Sequence, residues 1–317
     1  MKKRKKLIFV IVAAALIFAA GFWYLFLGGR IPDAADEVTA GEEGTRSLAA
    51  GPSTDNEEDA ENAENTEIAP EESELGYVTE GTDTYRGFVL DNVFHSADEG
   101  DIHYNVYIPE SYDGSRPYAL YFTLPGYEGL YFQGVGVNLQ SEEFGFEAQK
   151  YNDEMIIVAP QLSDWGETSA DQTIALAEYF LEQYNIDRDQ VYANGYSGGG
   201  ETMSLVLEKR PELFSAYLHV SSRWDGDYEP VAEQRLPVYL VVGREDEYYG
   251  SAPTQQAYDE LYRLYRQQGL SEEEIDGLLV LDIKEHDYFT QRNVSNEHGG
   301  GGLFAYDEEI MGWLFGH

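Results

Sequence analysis

Two patterns of hydrophobic and polar residues alternate along residues 77–317. Short runs rich in β-branched and aromatic residues, typical of strands, are separated by longer segments with the apolar spacing of helices. The first two runs, 88–96 and 102–109, are joined by an Asp/Gly turn, which predicts an antiparallel opening. Six later runs are almost continuously apolar, as strands buried on both faces must be: 118–124, 155–160, 191–194, 216–221, 238–242 and 278–283.

Helical patterns fill the intervals between these runs. They cover 142–150, 169–183, 199–209, 253–268 and a closing segment at 307–315. Pro211 follows the third and Gly269 the fourth, which are residues that end helices. Strands that alternate with helices after an antiparallel start predict an α/β fold with a mostly parallel sheet covered on both faces. The 241 residues of 77–317 have the size of one substantial domain.

A different pattern occupies residues 1–30. Five basic residues lie between Lys2 and Lys6, and Leu7–Gly29 is a mostly apolar, uncharged run of 23 residues, long enough to cross a bilayer as a helix. Its aromatic cluster, Phe22–Phe26, suits a membrane–water interface. We therefore expect a single-pass signal anchor at the cell membrane, with a cytoplasmic N-terminus and everything after residue 30 extracellular. A cleaved signal peptide is the alternative, although its apolar core is usually shorter.

Residues 31–76 hold fifteen acidic residues, one arginine and almost no bulky apolar side chains. Such a segment buries too little apolar surface to offset its chain entropy, so we predict a disordered acidic linker. The whole chain carries 59 acidic and 20 basic residues, a net charge of -39. This charge repels phosphate and excludes a general nucleic-acid binder. The chain has no cysteine, which excludes disulfides, thiolate metal sites and a cysteine nucleophile.

Chemistry is indicated first by Gly195-Tyr196-Ser197-Gly198-Gly199, which matches the pattern G-x-S-x-G. An apolar run precedes it and a helical segment follows, the strand–turn–helix context in which this motif presents a nucleophilic serine. Its glycines allow the strand and helix to approach, and the helix N-terminus favours developing negative charge. We predict Ser197 as the nucleophile. The alternative is a glycine-rich turn with an inactive serine.

A serine nucleophile needs a base, and the base needs a carboxylate that orients it. In this strand–helix architecture the acid and then the histidine follow the serine along the chain. Asp246 comes just after the run 238–242 and is the predicted acid, with its neighbours Glu245 and Glu247 as rivals. His298, which opens a run of four glycines, is the predicted base. His286 is the alternative, and His317 lies at the chain terminus.

The oxyanion hole of such a site is made of backbone N–H groups. One is predicted from Gly198, directly after the nucleophile. The second is predicted from Tyr127, in the loop Leu124–Gly129 after the third long run, where Gly126 permits a sharp turn. An ordinary Pro-Gly turn is the alternative for this loop.

Five segments together resemble the secreted esterase branch of the α/β-hydrolases: 108–114, 118–129, 156–161, 186–199 and 307–315. This branch includes feruloyl and polyhydroxybutyrate-type esterases, and prolyl-oligopeptidase-like catalytic domains are related to it. The resemblance implies an α/β-hydrolase fold with an eight-stranded sheet and a Ser–acid–His triad, placed here on Ser197, Asp246 and His298. In one respect the chain departs from the family, which usually has His-Gly where this chain has Pro125-Gly126. We expect altered support of that loop and retained activity.

The sequence thus predicts a membrane-tethered extracellular serine hydrolase that cleaves a small-molecule or polymer-borne carboxylic ester through an acyl-enzyme. A serine peptidase of prolyl-oligopeptidase-like type and an inactive scaffold that serves as a surface binding module are the alternatives. No cofactor or metal is predicted, since no P-loop, H-E-x-x-H or dinucleotide motif occurs. The acids around Asp225-Gly226-Asp227 lack the spacing of a calcium loop, and Trp165 and Trp224 are weak candidates for pocket walls.

Overall fold

The structure is a computed structural model that describes residues 73–317. The predicted signal anchor and nearly all of the predicted acidic linker lie outside the described residues. Within 73–317, no helix combines the length and the apolar character that crossing a bilayer requires.

A ten-stranded mixed sheet forms the centre of the described chain, in the order β1-β3-β4-β6-β5-β7-β8-β9-β10, with β2 paired to β3. The strands β1, β3 and β4, together with β2, are antiparallel, and β4 pairs antiparallel with β6. All pairs from β6 to β10 are parallel. The strands are β1 (Gly76–Thr79), β2 (Thr84–Tyr85), β3 (Phe88–Ser96), β4 (Gly100–Tyr107), β5 (Tyr118–Leu124), β6 (Met155–Pro160), β7 (Ile186–Tyr196), β8 (Ala216–Val220), β9 (Val238–Gly243) and β10 (Leu279–Lys284).

The expected antiparallel opening and parallel remainder are confirmed, but the expected count of eight strands is wrong. The two additional strands, β1 and β2, are short and lie largely at the surface. Neither has a continuous apolar run, because only one side of each is covered, so nothing in the local pattern marks them as strands. The first of these strands, β1, begins at Gly76, the residue at which the predicted acidic linker ends.

Nine α-helices and five 3₁₀ segments connect the strands of residues 73–317. The helices are α1 (Val137–Ser141), α2 (Phe144–Glu147), α3 (Glu167–Gln183), α4 (Gly198–Lys209), α5 (Glu229–Gln234), α6 (Ala252–Gln267), α7 (Glu272–Asp276), α8 (His286–Thr290) and α9 (Glu308–Leu314). The 3₁₀ segments are Tyr127–Gly129, Tyr131–Gln133, Ala148–Lys150, Pro211–Leu213 and Gly299–Tyr306. Four of the five predicted helices match α3, α4, α6 and α9 to within two residues at each end. The prediction of one helix over 142–150 is wrong, because this range holds only the short α2 and the 3₁₀ segment Ala148–Lys150.

Two hydrophobic cores lie on opposite faces of the sheet. Because side chains of a strand alternate between its faces, Leu120 and Phe122 of β5 join the core under α3, α4 and α6, whereas Tyr121 joins the core under α2 and α9. Every residue of β5, β6, β8 and β9 is buried. The parallel strands are thereby held rigidly, and the loops at their carboxyl ends start from fixed positions.

Candidate active site

Ser197 lies in the turn between β7 and α4, with the positive backbone angle φ 52° and ψ -120°. This is a sparsely populated conformation for a residue with a side chain, and the surrounding packing maintains it. The Ser197 amide donates to the carbonyl of Val220 at 3.0 Å, and Ser222 Oγ donates to the Ser197 carbonyl at 2.6 Å. The turn thus holds the backbone of Ser197 from both sides.

The glycines on either side of Ser197 are required by close backbone approach. A Cβ atom on Gly195 would lie 2.5 Å from the carbonyl oxygen of Gly199, and one on Gly199 would lie 2.4 Å from that of Leu124. Both distances are far below a normal van der Waals contact. The G-x-S-x-G pattern therefore has a mechanical basis in this turn, as the motif requires.

The structure brings Ser197, His298 and Asp246 together in one chain of hydrogen bonds. Ser197 Oγ lies 3.0 Å from His298 Nε2, and His298 Nδ1 lies 2.8 Å from Asp246 Oδ2. The three residues follow β7, β10 and β9, at the carboxyl edge of the parallel strands. The Asp246 side chain is fully buried, and that of His298 is 19% exposed. With the proton on Nδ1, His298 presents an Nε2 lone pair to the serine hydroxyl.

The neighbours of Asp246 have other partners. Asp246 Oδ1 accepts the amides of Tyr248 and Tyr249 at 3.0 and 2.8 Å, which fixes the carboxylate. The Glu247 carboxylate accepts the backbone amide of His298 at 3.0 Å. The backbone amide of Glu245 donates to Glu297 at 2.7 Å. Among the three consecutive acids, Asp246 is thus the one that contacts the imidazole of His298.

These contacts form a crossed pair of hydrogen bonds between the acid loop and the histidine loop. Glu247, after Asp246, binds the amide of His298, whereas Glu297, before His298, binds the amide of Glu245. The Glu297 side chain is only 1% exposed. We call this arrangement the loop clasp. It fixes the separation of the Asp246 and His298 loops, and no motif in the sequence indicated it.

His286, the alternative base, belongs to the loop clasp. Its Nδ1 lies 2.9 Å from Glu297 Oε1, and this hydrogen bond raises the pKa of His286. His317 hydrogen bonds through Nδ1 to the carbonyl of Trp313 at 2.8 Å. Of the three late histidines, only His298 has a nitrogen within hydrogen-bonding distance of Ser197.

One group of side chains between residues 73 and 317 has donor atoms close enough to share a metal ion: Glu245, His286 and Glu297, within 4.8 Å of one another. Both carboxylate oxygens of Glu297 already accept hydrogen bonds from the Glu245 amide and from His286. The acids around Asp225 form a turn: Asp225 pairs with Arg223 at 2.9 Å, and the Asp225 amide donates to Ser204 Oγ.

Both predicted oxyanion donors lie beside Ser197. Gly198 is the first residue of α4, and Tyr127 begins the 3₁₀ segment after β5. Neither backbone amide donates to another group of residues 73–317. A Cβ atom on Gly126 would lie 3.4 Å from Ser197 Cβ, which places the Tyr127 loop directly over the nucleophile. Two unused N–H groups near the serine hydroxyl can receive a developing oxyanion.

Support for this loop comes from Glu142. Its Oε1 accepts the Gly126 amide at 2.8 Å, and the residue is 7% exposed. Burial raises the pKa of Glu142 to about 8, against the lowering effect of the Gly126 hydrogen bond, and the nearby charge of Glu128 raises it further. The chain has Pro125 where the family usually has histidine, and a carboxyl group from the segment between α1 and α2 holds this loop. The sequence placed Glu142 at the start of a helix and did not single it out.

Trp165 covers the other side of the turn. A Cβ atom on Gly198 would lie 2.0 Å from Trp165 Nε1, so the indole packs directly on this glycine. Its buried Nε1 has no hydrogen-bond partner among residues 73–317. The ring centroid of Tyr127 lies 5.6 Å from that of the Trp165 indole. Trp224, the second predicted wall residue, packs instead in the core against Tyr217 and Tyr228.

A cavity of about 180 Å³ opens beside the serine hydroxyl. It is smaller than the roughly 300–1,000 Å³ of common small-molecule pockets. Ser197 and His298 contribute to its wall, together with residues of the loop that holds the Tyr127 amide. The lining residues are Gly126, Tyr127, Glu128, Ser141, Glu142, Tyr196, Ser197, His298, Gly299 and Gly302.

Comparisons with known proteins give one family match and several similar structures. The prolyl oligopeptidase family of peptidases matches residues 162–267, about a third of the chain, a segment that includes Ser197 and Asp246. No curated protein matches the sequence. A thermostable esterase has a similar structure, with a TM-score of 0.59 and 19% identity over 73% of this chain, which spans only 63% of that esterase.

An S-formylglutathione hydrolase from Agrobacterium tumefaciens is also similar in structure. Its TM-score is 0.50 and its identity 14%, and the alignment covers 74% of this chain and 98% of that enzyme. Identities this low show a shared fold. The mixed sheet with its covering helices and the similarity to these structures show that residues 73–317 have an α/β-hydrolase fold.

Proposed function

We propose that this protein is a carboxylic-ester hydrolase with Ser197, His298 and Asp246 as its catalytic triad. The observation that carries the proposal is the unbroken chain of hydrogen bonds from Ser197 Oγ through His298 to Asp246. At its serine end, this chain of hydrogen bonds faces a cavity whose wall also includes Tyr127. These are the parts that acyl transfer through a serine requires: a nucleophile, an oriented base and an oxyanion site.

The reaction starts when His298 Nε2 accepts the proton of Ser197 as Oγ attacks the ester carbonyl carbon. The carbonyl oxygen becomes an oxyanion and accepts hydrogen bonds from the Gly198 and Tyr127 amides. Asp246 stabilises the imidazolium of His298 through Nδ1. The imidazolium then protonates the departing alkoxide, and an acyl-enzyme remains. Water, deprotonated by His298, cleaves the acyl group and restores the serine.

The small cavity supports an ester with a compact group beside the carbonyl. The two similar structures are named an esterase and an S-formylglutathione hydrolase. The match to the prolyl oligopeptidase family favours peptide hydrolysis as the second candidate. A Ser–His–Asp triad can cleave esters and peptides alike, so the difference between the two candidate functions lies in the leaving group, an alcohol or an amine.

Labelling with a fluorophosphonate probe tests the mechanism. Wild-type protein is expected to react covalently, and Ser197→Ala is expected to lose the reaction. A panel of acetyl, feruloyl and longer acyl esters beside short peptides then tests the bond. Absence of labelling would reject the serine hydrolase mechanism and favour a binding module, whereas cleavage of peptides alone would replace the esterase assignment.

We also infer a membrane tether, from the uncharged run Leu7–Gly29 behind its basic cluster. The acidic segment that follows would act as a solvated spacer between the bilayer and the hydrolase. Expression of the full chain beside a variant that lacks residues 1–30 tests this. The full chain is expected in the membrane fraction with its hydrolase accessible to external protease, and a soluble full chain would contradict the inference.

A further inference from the structure

The cavity beside Ser197 has an acidic side that the proposed mechanism does not use. Glu128 and Glu142 both line it, and His298 is the only lining residue that can carry a positive charge. Glu142 is more than nine-tenths buried, and the one hydrogen bond that its carboxyl group makes within residues 73–317 comes from the Gly126 amide. Buried carboxylates are normally paired with a cation or with several donors. Glu142 therefore has an unused acceptor oxygen and no counter-charge.

Nearby arginines do not supply that charge. Arg223 pairs with Glu201 and Asp225, each at 2.9 Å, and does not line the cavity. Arg86 pairs with Glu143, the residue after Glu142, at 2.7 Å. None of the ion pairs formed by residues 73–317 includes Glu142 or Glu128. Within residues 73–317, no cationic side chain is paired with Glu142 or Glu128, so the position is open to a cation from outside the protein.

Two tyrosines belong to the wall of this cavity as well. Tyr127 and Tyr196 line the same cavity as Glu128 and Glu142. Aromatic rings attract cations that carry several alkyl groups, and carboxylates attract any cation. This combination suits an ammonium group, whether primary or quaternary.

We propose that this cavity binds an ammonium group of the substrate, so that the enzyme prefers esters with a positive charge close to the scissile carbonyl. The inference rests on the proposed esterase function and names its substrate class. The charge could belong to either side of the ester: an aminoacyl group or an amino alcohol. Both present the same cation to Glu142.

The ionisation of Glu142 agrees with this role. Without a bound cation, burial raises the pKa of Glu142 to about 8, so its carboxyl group is mostly protonated near neutral pH. A bound ammonium supplies the absent counter-charge and stabilises the carboxylate. Binding of the cation therefore releases a proton from Glu142, and the charge pair forms only when the substrate is present.

Matched pairs of esters test the proposal at pH 7. Alanine methyl ester and methyl isobutyrate differ in an ammonium on the acyl side, whereas acetylcholine and 3,3-dimethylbutyl acetate differ in one on the alcohol side. We expect wild-type kcat/KM to be about tenfold or more higher for the charged member of at least one pair, the usual effect of one charge-assisted contact. The pair that discriminates identifies the side of the ester.

Glu142→Gln keeps the side-chain volume and the acceptor for the Gly126 amide, and it removes the negative charge. Because each variant is compared with itself through a ratio of two esters, a general loss of activity does not affect the result. The preference for the charged ester is expected to fall to about threefold or less in this variant. Glu128→Gln, at an exposed position, should fold in any case and should lower the preference partly. Equal kcat/KM within both pairs in wild type, or an unchanged ratio in both variants, would overturn the proposal.

A binding measurement separates this inference from the esterase assignment. If no ester is cleaved, the esterase assignment fails, and the cation site is then tested by titration calorimetry with choline and its uncharged analogue 3,3-dimethylbutan-1-ol. Tighter binding of choline by wild type than by Glu142→Gln would support the site. Equal affinity for choline and the analogue in wild type would refute it.

Discussion

Replacement of Asp246 by asparagine tests the proposed triad at the point where the sequence left three adjacent acids open. In the structure, Asp246 Oδ1 accepts the amides of Tyr248 and Tyr249, and Oδ2 lies 2.8 Å from His298 Nδ1. The carbonyl oxygen of an asparagine would keep the two amide bonds. Its NH₂ group would then face His298 Nδ1 and donate to it.

This donor reverses the tautomer of His298. A nitrogen that accepts a hydrogen bond carries no proton, so the proton moves to Nε2, which lies 3.0 Å from Ser197 Oγ. The imidazole then donates to the serine hydroxyl and cannot take its proton. The corresponding change in serine proteases lowers kcat by about 10⁴, and we expect the same order here. At about 1.36 kcal/mol per factor of ten, the barrier rises by about 5 kcal/mol.

The assay compares kcat and KM of Asp246→Asn with those of two matched neighbours, Glu245→Gln and Glu247→Gln. Because the Glu245 side chain does not contact His298, its variant should stay near wild type. Glu247→Gln weakens one acceptor of the His298 amide and should cost less than about tenfold. The melting temperature of each variant checks folding. If Asp246→Asn keeps kcat within tenfold of wild type, or if either neighbour is the more damaging change, the assignment of the acid is refuted.

Three further predictions address the support of the site. Gly199→Ala places a Cβ 2.4 Å from the Leu124 carbonyl and should destabilise the fold by about 1–3 kcal/mol in urea unfolding, whereas Gly302→Ala, with nothing within 4 Å, should not. Glu297→Gln should lower Tm and kcat with little change in KM, and its Tm deficit should shrink as pH rises above 6.5, because the raised pKa of His286 makes the Glu297 pair strongest when the imidazole is charged. Glu142 keeps its proton up to about pH 8 in the folded state but only up to about pH 4.5 in the unfolded state. The free energy of unfolding should therefore decrease as the pH rises from about 4.5 to about 8, and Glu142→Gln should reduce this decrease.

The main strands could be predicted from the sequence because their burial leaves a strong local signal. β5, β6 and β9 are apolar at almost every position, since helices cover both faces of the sheet. β1 and β2 lack that signal because they are short and partly exposed. The short helices α5 and α7 were missed for a related reason: one and a half turns contain too few residues to establish a helical period.

The candidate site likewise has residues that the sequence indicates and residues that only the structure identifies. The motif around Ser197 identified its turn because close backbone approach demands glycine at Gly195 and Gly199. The glycines that follow His298 favour it over His286 in the sequence, and in the structure His298 Nε2 lies 3.0 Å from Ser197 Oγ. The roles of Glu142 and Glu297 could not be predicted. Each is an acid in a strongly acidic sequence, and only the tertiary fold distinguishes a buried carboxyl from the many solvated ones.

The loop clasp shows how the site depends on contacts other than the hydrophobic core. The sheet fixes where the loops of Asp246 and His298 begin, but these loops reach each other some distance beyond β9 and β10. Their separation is then set by two hydrogen bonds, from the Glu245 amide to Glu297 and from the His298 amide to Glu247. Bonds of this kind contribute about 1 kcal/mol each, far less than the burial of the strands. Local opening of the two loops therefore costs less than global unfolding, and catalytic activity should be lost on heating before the sheet unfolds.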